Sequence, residues 1–270
     1  IGVRLVGSEM CIRDSSHVAC GFYHTAAIAE GGSVWTWGWG RDGQLGHSDD
    51  TGGRPGRVTG LQAHQACSVA CGHSFTMALS TNGAVFVWGL VEGRSPFTCL
   101  RSSVSTDDGE ARLKQLRLPL PAWQIAGGGR HAAALLRNKT LWTWGSNTHG
   151  QLGHGSASTV REPGHVASLV DVTSVSCGED HSTAVGRRFG PPSRTDIHGD
   201  ALSDAVAIWI WGRCEYTGSE ARDRGNVLPR LPPWTGTVGP PSDSPTALSC
   251  GYYHSVSSHN QTILSRPPKS

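Results

Sequence analysis

The chain lacks the sequence features that mark several large classes of protein. It has no run of about 18 apolar residues, the length that a membrane-spanning helix requires. It also lacks the phosphate loop Gly-x-x-x-x-Gly-Lys-Ser/Thr, the zinc-protease motif His-Glu-x-x-His and the nucleophile elbow Gly-x-Ser-x-Gly. We therefore predict no membrane-spanning helix, no catalytic residue and no cofactor.

Charge of one sign is also scarce. The 23 lysines and arginines nearly balance 21 aspartates and glutamates, for a net charge of +2. Lysine itself occurs only as Lys114, Lys139 and Lys269. Because a DNA or chromatin surface is normally far more basic, the composition argues against nucleic acid as a partner.

An internal repeat is the most informative feature that the chain does have. Five copies of a small residue followed by glycine recur, with the anchor glycines Gly21, Gly72, Gly128, Gly178 and Gly251. Four copies place a histidine three residues after the anchor, namely His24, His131, His181 and His254. Since each conspicuous residue belongs to a series, the pattern favours a structural repeat over a single active site.

Each of the first four copies continues into an aromatic run that ends in Trp-Gly. These tryptophans are Trp37, Trp88, Trp144 and Trp211. The first three follow their anchor glycine by 16 residues and the fourth by 33. We therefore predict an insertion of 17 residues in the fourth copy, at about 187–204, where Gly190-Pro191-Pro192 indicates a loop.

The runs between the anchors are rich in β-branched and aromatic residues and are separated by polar turns that contain glycine. No convincing helical stripe is present. Units of roughly 50 residues made only of strands are typical of a β-propeller, in which each unit forms one four-stranded blade. We therefore predict an all-β fold in which the repeated tryptophans lie between neighbouring blades.

The repeat resembles that of the regulator of chromosome condensation family. The resemblance rests on Cys-Gly-x-x-His-Thr/Ser, then Trp-x-Trp-Gly, then a Gly-Gln-Leu-Gly-His segment, and the closest matches are 38–47 and 145–154. Gly46 and Gly153 close the two Gln-Leu-Gly segments. The resemblance implies a seven-bladed propeller, of which 270 residues would cover four to five blades.

The predicted blades cover about 16–66, 67–122, 123–172 and 173–246, with a partial blade at 247–264. Residues 1–15 fit no repeat and resemble linker sequence, and residues 265–270 are predicted to be a disordered tail. The second and fourth copies lack Gln-Leu-Gly after Trp-Gly, so we expect divergent loops at about 90–122 and 213–226 that could contact partners.

The repeated cysteines and histidines are interpreted as structural. Cys20, Cys71, Cys177 and Cys250 occupy one repeat position, which favours small, buried and reduced side chains in an intracellular protein. The histidines are expected to make a repeated hydrogen bond. The sequence does not contain two Cys/His pairs at the spacing of a zinc-binding signature. We therefore predict no metal site.

Two functions follow from the resemblance. The first is a non-catalytic protein-interaction propeller, part of a larger regulatory protein such as a ubiquitin ligase. The alternative is a guanine nucleotide exchange factor for a Ran-type small GTPase, which would act through loop contacts with no covalent step. An ultraviolet-sensing receptor is a further alternative with less support, because the strand pattern already accounts for the tryptophans. A hydrolase is another alternative with less support.

Overall fold

The computed structural model describes residues 15–47, 53–90, 113–188, 207–213, 248–250 and 255–257. These residues form β-strands with two single-turn 3-10 helices, Glu30–Gly32 and Thr59–Leu61, and contain no α-helix. The prediction of an all-β fold is confirmed. The chain divides into two compact units, Ile1–Arg130 and His131–Ser270.

The first two sheets are four-stranded antiparallel meanders in which each strand pairs with the next along the chain. The strands of the first sheet are β1 (Ser15–Cys20), β2 (His24–Ala29), β3 (Ser33–Gly38) and β4 (Gly56–Arg57). Those of the second sheet are β5 (Ala66–Cys71), β6 (Ser74–Ser80), β7 (Val85–Leu90) and β8 (Lys114–Gln115).

The later sheets follow the same meander order. The third sheet contains β9 (Ala122–Gly127), β10 (His131–Leu136), β11 (Leu141–Gly145) and β12 (Val160–His165). The described strands of the fourth sheet are β13 (Leu169–Cys177), β14 (His181–Arg188) and β15 (Ala207–Gly212). A fifth sheet is represented by β16 (Leu248–Cys250) and β17 (Ser255–Ser257).

Local turn chemistry explains why consecutive strands form hairpins. In the turn from β6 to β7, Ser80 N donates to Ala84 O at 2.9 Å, and Gly83 N donates to Ser80 O at 2.8 Å. Gly83 has a φ of +87°, and the Asn82 carboxamide accepts from Ala84 N at 3.0 Å. Glycine and asparagine stabilise tight turns for these two reasons, so the sequence Ser-Thr-Asn-Gly reverses the chain here.

The strand register aligns two repeated residues across each blade. The tryptophan before Gly lies directly opposite the residue after the repeated histidine position, as in the pairs Thr25–Trp37, Thr76–Trp88, Ala132–Trp144 and Ser182–Trp211. Residues that are directly opposite in an antiparallel pair point to the same face. Each indole therefore shares a face with a residue that is a hydroxyl in three of the four blades.

The cores lie between successive sheets. In the first unit β2 packs against β5, and a buried cluster combines Ile28 and Val34 of the first sheet with Val69, Phe86 and Trp88 of the second. In the second unit β10 packs against β13. Trp88, Trp144 and Trp211 are among the largest fully buried side chains. Burial of these indoles removes a large apolar area from water, which favours the packed sheets.

Several sequence predictions fall outside the described residues. These are Gly251, His254, the tail at 265–270, residues 1–14 and most of the divergent loops. The predicted insertion at 187–204 begins inside β14, which extends to Arg188, and its remainder lies outside the described residues. Ser15, predicted to belong to the non-repeat segment, is the first residue of β1.

We predict that Trp144→Ala lowers the free energy of unfolding by about 3–5 kcal/mol, because the substitution leaves a large cavity in the core. Trp123→Ala is the matched control, since Trp123 lies in the same sheet but is 49% exposed. The control is expected to change stability by less than about 1 kcal/mol. Urea denaturation followed by circular dichroism measures both values, and equal losses would contradict this account of the core.

Candidate functional site

A repeated hydrogen-bond network connects the first two sheets. The Gln44 carbonyl accepts the indole N–H of Trp88 at 2.9 Å and the hydroxyl of Thr76 at 2.7 Å. Thr76 Oγ1 in turn accepts from His24 Nε2 at 2.7 Å. One backbone carbonyl of the first sheet therefore accepts both repeated donors of the second.

The second unit contains the same network with serine in place of threonine. The Gln151 carbonyl accepts from Trp211 Nε1 at 2.8 Å and from Ser182 Oγ at 2.9 Å. His131 Nε2 lies 2.8 Å from the Ser182 hydroxyl. This recurrence assigns the repeated histidine, hydroxyl, glutamine and tryptophan positions to one structural device.

The network determines the protonation state of its histidines. Each hydroxyl has a single proton, which it donates to the glutamine carbonyl, so the imidazole must donate through Nε2 and leave Nδ1 unprotonated. Burial lowers the pKa of His24 to about 4, opposed by a hydrogen bond with the Phe75 backbone. Burial, with a smaller contribution from His181, lowers the pKa of His131 to about 3. Both rings are neutral at pH 7.

The repeated tryptophans differ in burial. Trp88, Trp144 and Trp211 are buried, whereas Trp37 is only half-buried. Trp88 and Trp211 are covered by the Gln-Leu-Gly segment of the preceding sheet, and no such segment precedes β3 among the described residues. Trp37 is therefore not enclosed in the way expected from the repeat. Within the described part of the chain, Trp144 Nε1 is buried without a hydrogen-bond partner.

Gly46 and Gly153 allow the covering segments to approach the indoles. Their φ angles are +72° and +74°, and a Cβ would lie 2.8 Å from Trp88 Nε1 and 2.9 Å from Trp211 Nε1, respectively. Side chains other than hydrogen are therefore disfavoured both by the backbone conformation and by the indole. The hydroxyl of Thr143 also holds the covering segment that contains Gly153, since it donates to Leu152 O at 2.7 Å.

The anchor glycines have a different role. A Cβ on Gly21, Gly72 or Gly178 would clash with the ring of the residue three positions later, which is His24, Phe75 or His181. These glycines therefore provide space for a buried ring, and Phe75 fills that space without the imidazole nitrogens. Gly128 is buried as well.

The repeated cysteine position is also a packing position. Cys71 and Cys177 are buried and unpaired, and burial raises the pKa of the Cys71 thiol to about 12. Cys71 lies against β1, with Sγ 3.5 Å from Ala19 O. Cys20 is exposed, contrary to the expectation for this position, because no described strand packs on that side of β1.

The positions whose residue type varies between blades lie at the strand ends. We call the two residues after each anchor glycine, together with the residue after Trp-Gly, the blade-end residues. They are Phe22, Tyr23 and Trp39 in the first blade, His73, Ser74 and Leu90 in the second, Gly129, Arg130 and Ser146 in the third, and Glu179, Asp180 and Arg213 in the fourth. The backbone is alike: Trp39 N donates to Tyr23 O, and Arg213 N to Asp180 O, both at 2.8 Å.

In the first unit the blade-end residues form an exposed aromatic cluster. Phe22, Tyr23 and Trp39 are 47%, 54% and 47% exposed. The Phe22 ring stacks on the imidazole of His73 with centroids 4.6 Å apart, and Tyr23 lies edge-on to Phe22 at 4.6 Å. The rings of Tyr23 and Trp39 are 6.2 Å apart. We call Phe22, Tyr23, Trp39 and His73 the aromatic face.

Positive charge borders the aromatic face. The Arg41 guanidinium lies 4.9 Å from the centroid of the Trp39 ring, a cation–π contact. Partial burial lowers the pKa of His73, the positive charge of Arg130 lowers it further, and Asp42 opposes the shift. His73 is therefore neutral at pH 7, which leaves Arg41 and Arg130 as the cations beside the rings.

The fourth blade carries charged residues at the same positions. Asp180 lies 3.5 Å from the Arg213 guanidinium and 3.8 Å from His149 Nδ1. Asp180 occupies the position of Tyr23, and Arg213 that of Trp39. The same backbone arrangement thus presents aromatic chemistry in one blade and an ion pair in another.

The aromatic face was not predicted from the sequence. Phe22 and Tyr23 belong to the first repeat copy, but a period draws attention to the residues that recur, whereas surface chemistry depends on those that do not. A usable signal was present, since three aromatic residues occupy positions that are charged in the fourth copy. Thr76, Ser182, Gln44 and Gln151 were likewise not predicted as members of the buried network.

No group of three or more His, Cys, Asp or Glu side chains in the described ranges is arranged to hold a metal ion, and the predicted absence of a metal site stays a prediction. The described residues also contain no helix that is long and apolar enough to span a membrane.

We predict that Gly46→Ala destabilises the protein more than Gly43→Ala. Both glycines have positive φ angles, +72° and +76°, so alanine introduces similar backbone strain at each. A Cβ on Gly43 meets nothing within 4 Å, whereas one on Gly46 meets the Trp88 indole. The extra loss is expected to be about 1–3 kcal/mol, as for other overpacked sites. Thermal and urea unfolding of the two variants test this, and equal losses would mean that the indole contact contributes nothing.

We predict that acid weakens the fold through His24. The unfolded chain binds a proton near pH 6.5 and the folded chain only near pH 4, so the contribution of His24 is complete above pH 6.5 and declines as the pH falls towards 4. The slope is about 1.4 kcal/mol per pH unit. His24→Phe, which introduces the residue that the second repeat carries as Phe75, should reduce the measured slope by that amount. An unchanged slope in urea titrations at several pH values would refute the assignment.

Comparisons with known proteins agree with this architecture. Models of the regulator of chromosome condensation (RCC1) repeat match residues 31–79 and 140–185, and a second model of that repeat matches 16–44 and 124–151. Human E3 ubiquitin-protein ligase HERC2 is 32% identical over an alignment of 254 residues, which covers 91% of this chain and 5% of the relative. The Arabidopsis thaliana ultraviolet-B receptor UVR8 is 37% identical over 175 residues, 63% of this chain and 39% of the relative.

Solved structures with the same fold include human WBSCR16 and the yeast RCC1 protein Prp20 bound to Kap60. WBSCR16 is 21% identical to this chain with a TM-score of 0.68, and the match covers 91% of this chain and 60% of the WBSCR16 chain. Prp20 is 18% identical to this chain with a TM-score of 0.52, and the match covers 89% of this chain and 66% of the Prp20 chain. These likenesses confirm a β-propeller fold built of four-stranded blades. The chain contains repeats of the regulator of chromosome condensation type.

Proposed function

We propose that this chain is a non-catalytic protein-interaction module that binds a partner protein through its blade-end residues and serves a larger regulatory protein. The observation that carries the proposal is the aromatic face, where three large rings are about half exposed within one cluster. Exposed apolar clusters of this kind mark interaction sites on proteins.

The composition of the aromatic face supports a protein partner. Tyrosine, tryptophan, phenylalanine and arginine are enriched at protein–protein interfaces, and the first three of these types stand here beside Arg41 and Arg130. Tryptophan, tyrosine and arginine also provide most binding hot spots, and the two aromatic types bury a large area with few rotatable bonds. An aromatic ring that is already held by a neighbour loses little entropy on binding.

The scaffold beneath the aromatic face is rigid. Phe22 N donates to Gly72 O at 3.3 Å, Trp39 N donates to Tyr23 O at 2.8 Å, and His73 N donates to Gly129 O at 2.9 Å. These bonds fix the backbone from which the rings project. A preorganised surface needs less ordering when a partner binds, which raises affinity.

The relatives support a role as one part of a larger protein. The matched region is 5% of HERC2, which is named as a ubiquitin ligase, and 39% of UVR8. We propose by this comparison that the repeats recruit partners for an activity located elsewhere, as would suit a ubiquitin ligase. An intracellular location is proposed on the free thiols of Cys20, Cys67, Cys71 and Cys177 in the described part of the chain.

We predict that replacing Phe22, Tyr23 and Trp39 together by serine abolishes partner binding while the fold is retained. Surface substitutions of exposed side chains have small effects on stability, so circular dichroism and the melting temperature should change little. Proteins captured from a cell lysate by the immobilised chain are then quantified by mass spectrometry, and specific partners should fall by about tenfold or more. Val18→Ser with Trp123→Ser is the matched control, because both residues are exposed but lie within β1 and β9.

Unchanged capture by the serine variant would refute the assignment of the aromatic face. The alternative function, nucleotide exchange, makes a separate prediction. Release of a labelled guanine nucleotide from a Ran-type GTPase would accelerate when the purified chain is added at micromolar concentration. An acceleration would replace the proposed function with exchange, and the absence of one would remove that alternative.

A further inference from the structure

We propose that the aromatic face binds an extended acidic segment of the partner protein, which stacks an aromatic side chain on Tyr23 and pairs its carboxylates with Arg41 and Arg130. This inference rests on the proposed function and adds the chemical class of the partner. It follows from the charges around the rings, the ring surfaces that stay open and the spacing of the rings.

Charge excludes a basic partner. Arg41 and Arg130 are exposed, and neither forms an ion pair with a carboxylate among the described residues. Among the described residues, Asp42 is the acidic group that acts on His73 at the edge of the face, and His73 itself is neutral at pH 7. The two guanidiniums therefore outnumber the carboxylate, so the local potential attracts acidic groups and repels lysine and arginine.

The open ring surfaces identify where the segment stacks. One face of Trp39 is covered by the Arg41 guanidinium, and the Phe22 ring is stacked on His73. Tyr23 is the most exposed of the three rings, at 54%. An incoming aromatic side chain therefore finds its largest free surface on Tyr23, where offset or edge-on stacking contributes about 0.5–1.5 kcal/mol beyond area burial.

The ring spacing matches the side-chain repeat of an extended segment. Tyr23 and Trp39 have centroids 6.2 Å apart. In an extended chain, side chains on one face recur every two residues, at about 6.6 Å. Alternate residues of such a segment can contact both rings, and the next alternate residues on the same side of the segment can project carboxylates towards the arginines. Arginine binds carboxylates in a bidentate geometry, which adds specificity to the charge.

The first measurement uses a random copolymer of glutamate and tyrosine as the probe. The intact chain should bind the immobilised copolymer in biolayer interferometry more tightly than it binds polyglutamate, by about tenfold, because polyglutamate lacks the stacking group. It should bind a lysine–tyrosine copolymer more weakly than either. Affinity should fall as salt is raised, since exposed charge pairs are screened.

Matched variants test the residues. Arg41→Ala and Arg130→Ala should each weaken copolymer binding by about fivefold, and Tyr23→Ala by about tenfold. Arg137→Ala and Trp123→Ala are the controls. Arg137 is an exposed arginine that follows the opposite end of β10, and Trp123 is an exposed tryptophan within β9. Neither control should alter binding by more than about twofold, and melting temperatures confirm that every variant is folded.

Three results would overturn the proposal. Equal binding of polyglutamate and the tyrosine copolymer, unchanged by Tyr23→Ala, would show charge attraction without stacking. Tighter binding of the lysine–tyrosine copolymer would reverse the charge assignment. Self-association of the free chain in analytical ultracentrifugation that Tyr23→Ala abolishes would identify a second copy as the occupant.

The outcome is separable from that of the proposed function. If the copolymer does not bind, but the serine variant of the aromatic face still loses its lysate partners, then the interaction module stands and the acidic class is wrong. If both experiments fail, the aromatic face is not an interaction surface. Binding of the copolymer with the expected variant pattern supports both.

Discussion

A hydrogen-bond acceptor stabilises a buried indole N–H, and the acceptors that this chain provides for Trp88 and Trp211 shape both units of the described structure. Gln44 O and Gln151 O each accept an indole and a hydroxyl from the following sheet. One carbonyl can serve both donors because the strand register places the hydroxyl directly opposite the tryptophan. The positive φ of Gly46 and Gly153, the neutral histidines and the Gln-Leu-Gly sequence all follow from this shared acceptor. An unmet indole N–H in the core would cost roughly 1–3 kcal/mol.

The network is incomplete from the second repeat to the third. The second repeat carries Phe75 where the histidine recurs, and it lacks Gln-Leu-Gly after Trp88. The repeat that follows carries Ala132 where Thr76 and Ser182 provide hydroxyls, and its Trp144 N–H has no partner among the described residues. The positions equivalent to the histidine and the hydroxyl are thus both apolar in sequence, so neither adds an unpaired polar side chain. Packing of the indole remains, and it alone must hold Trp144 in place.

The residues that hold the blades together are different from the residues that are available for recognition. Backbone hydrogen bonds at the blade ends are alike in the first and fourth blades, with Trp39 N and Arg213 N bound to equivalent carbonyls. The side chains at those positions touch solvent, so the network beneath them places no restriction on their chemistry. Aromatic rings in the first blade and an ion pair around Asp180 in the fourth are both compatible with one scaffold. A repeat protein can therefore change its partner without changing its core.

Sequence alone determined the all-β class, the blade period and the residues that recur, because a repeated local pattern specifies strands and turns through short-range chemistry. It did not identify Gln44, Thr76 or the aromatic face. A backbone carbonyl carries no signal in its residue type, and the acceptor function of Gln44 O depends on a sheet that lies 32 residues further along the chain. Likewise the exposure of Phe22, Tyr23 and Trp39, and the half-burial of Trp37, were decided by which strands pack beside them. Burial is a property of the folded neighbourhood, and that neighbourhood exists only in the tertiary structure.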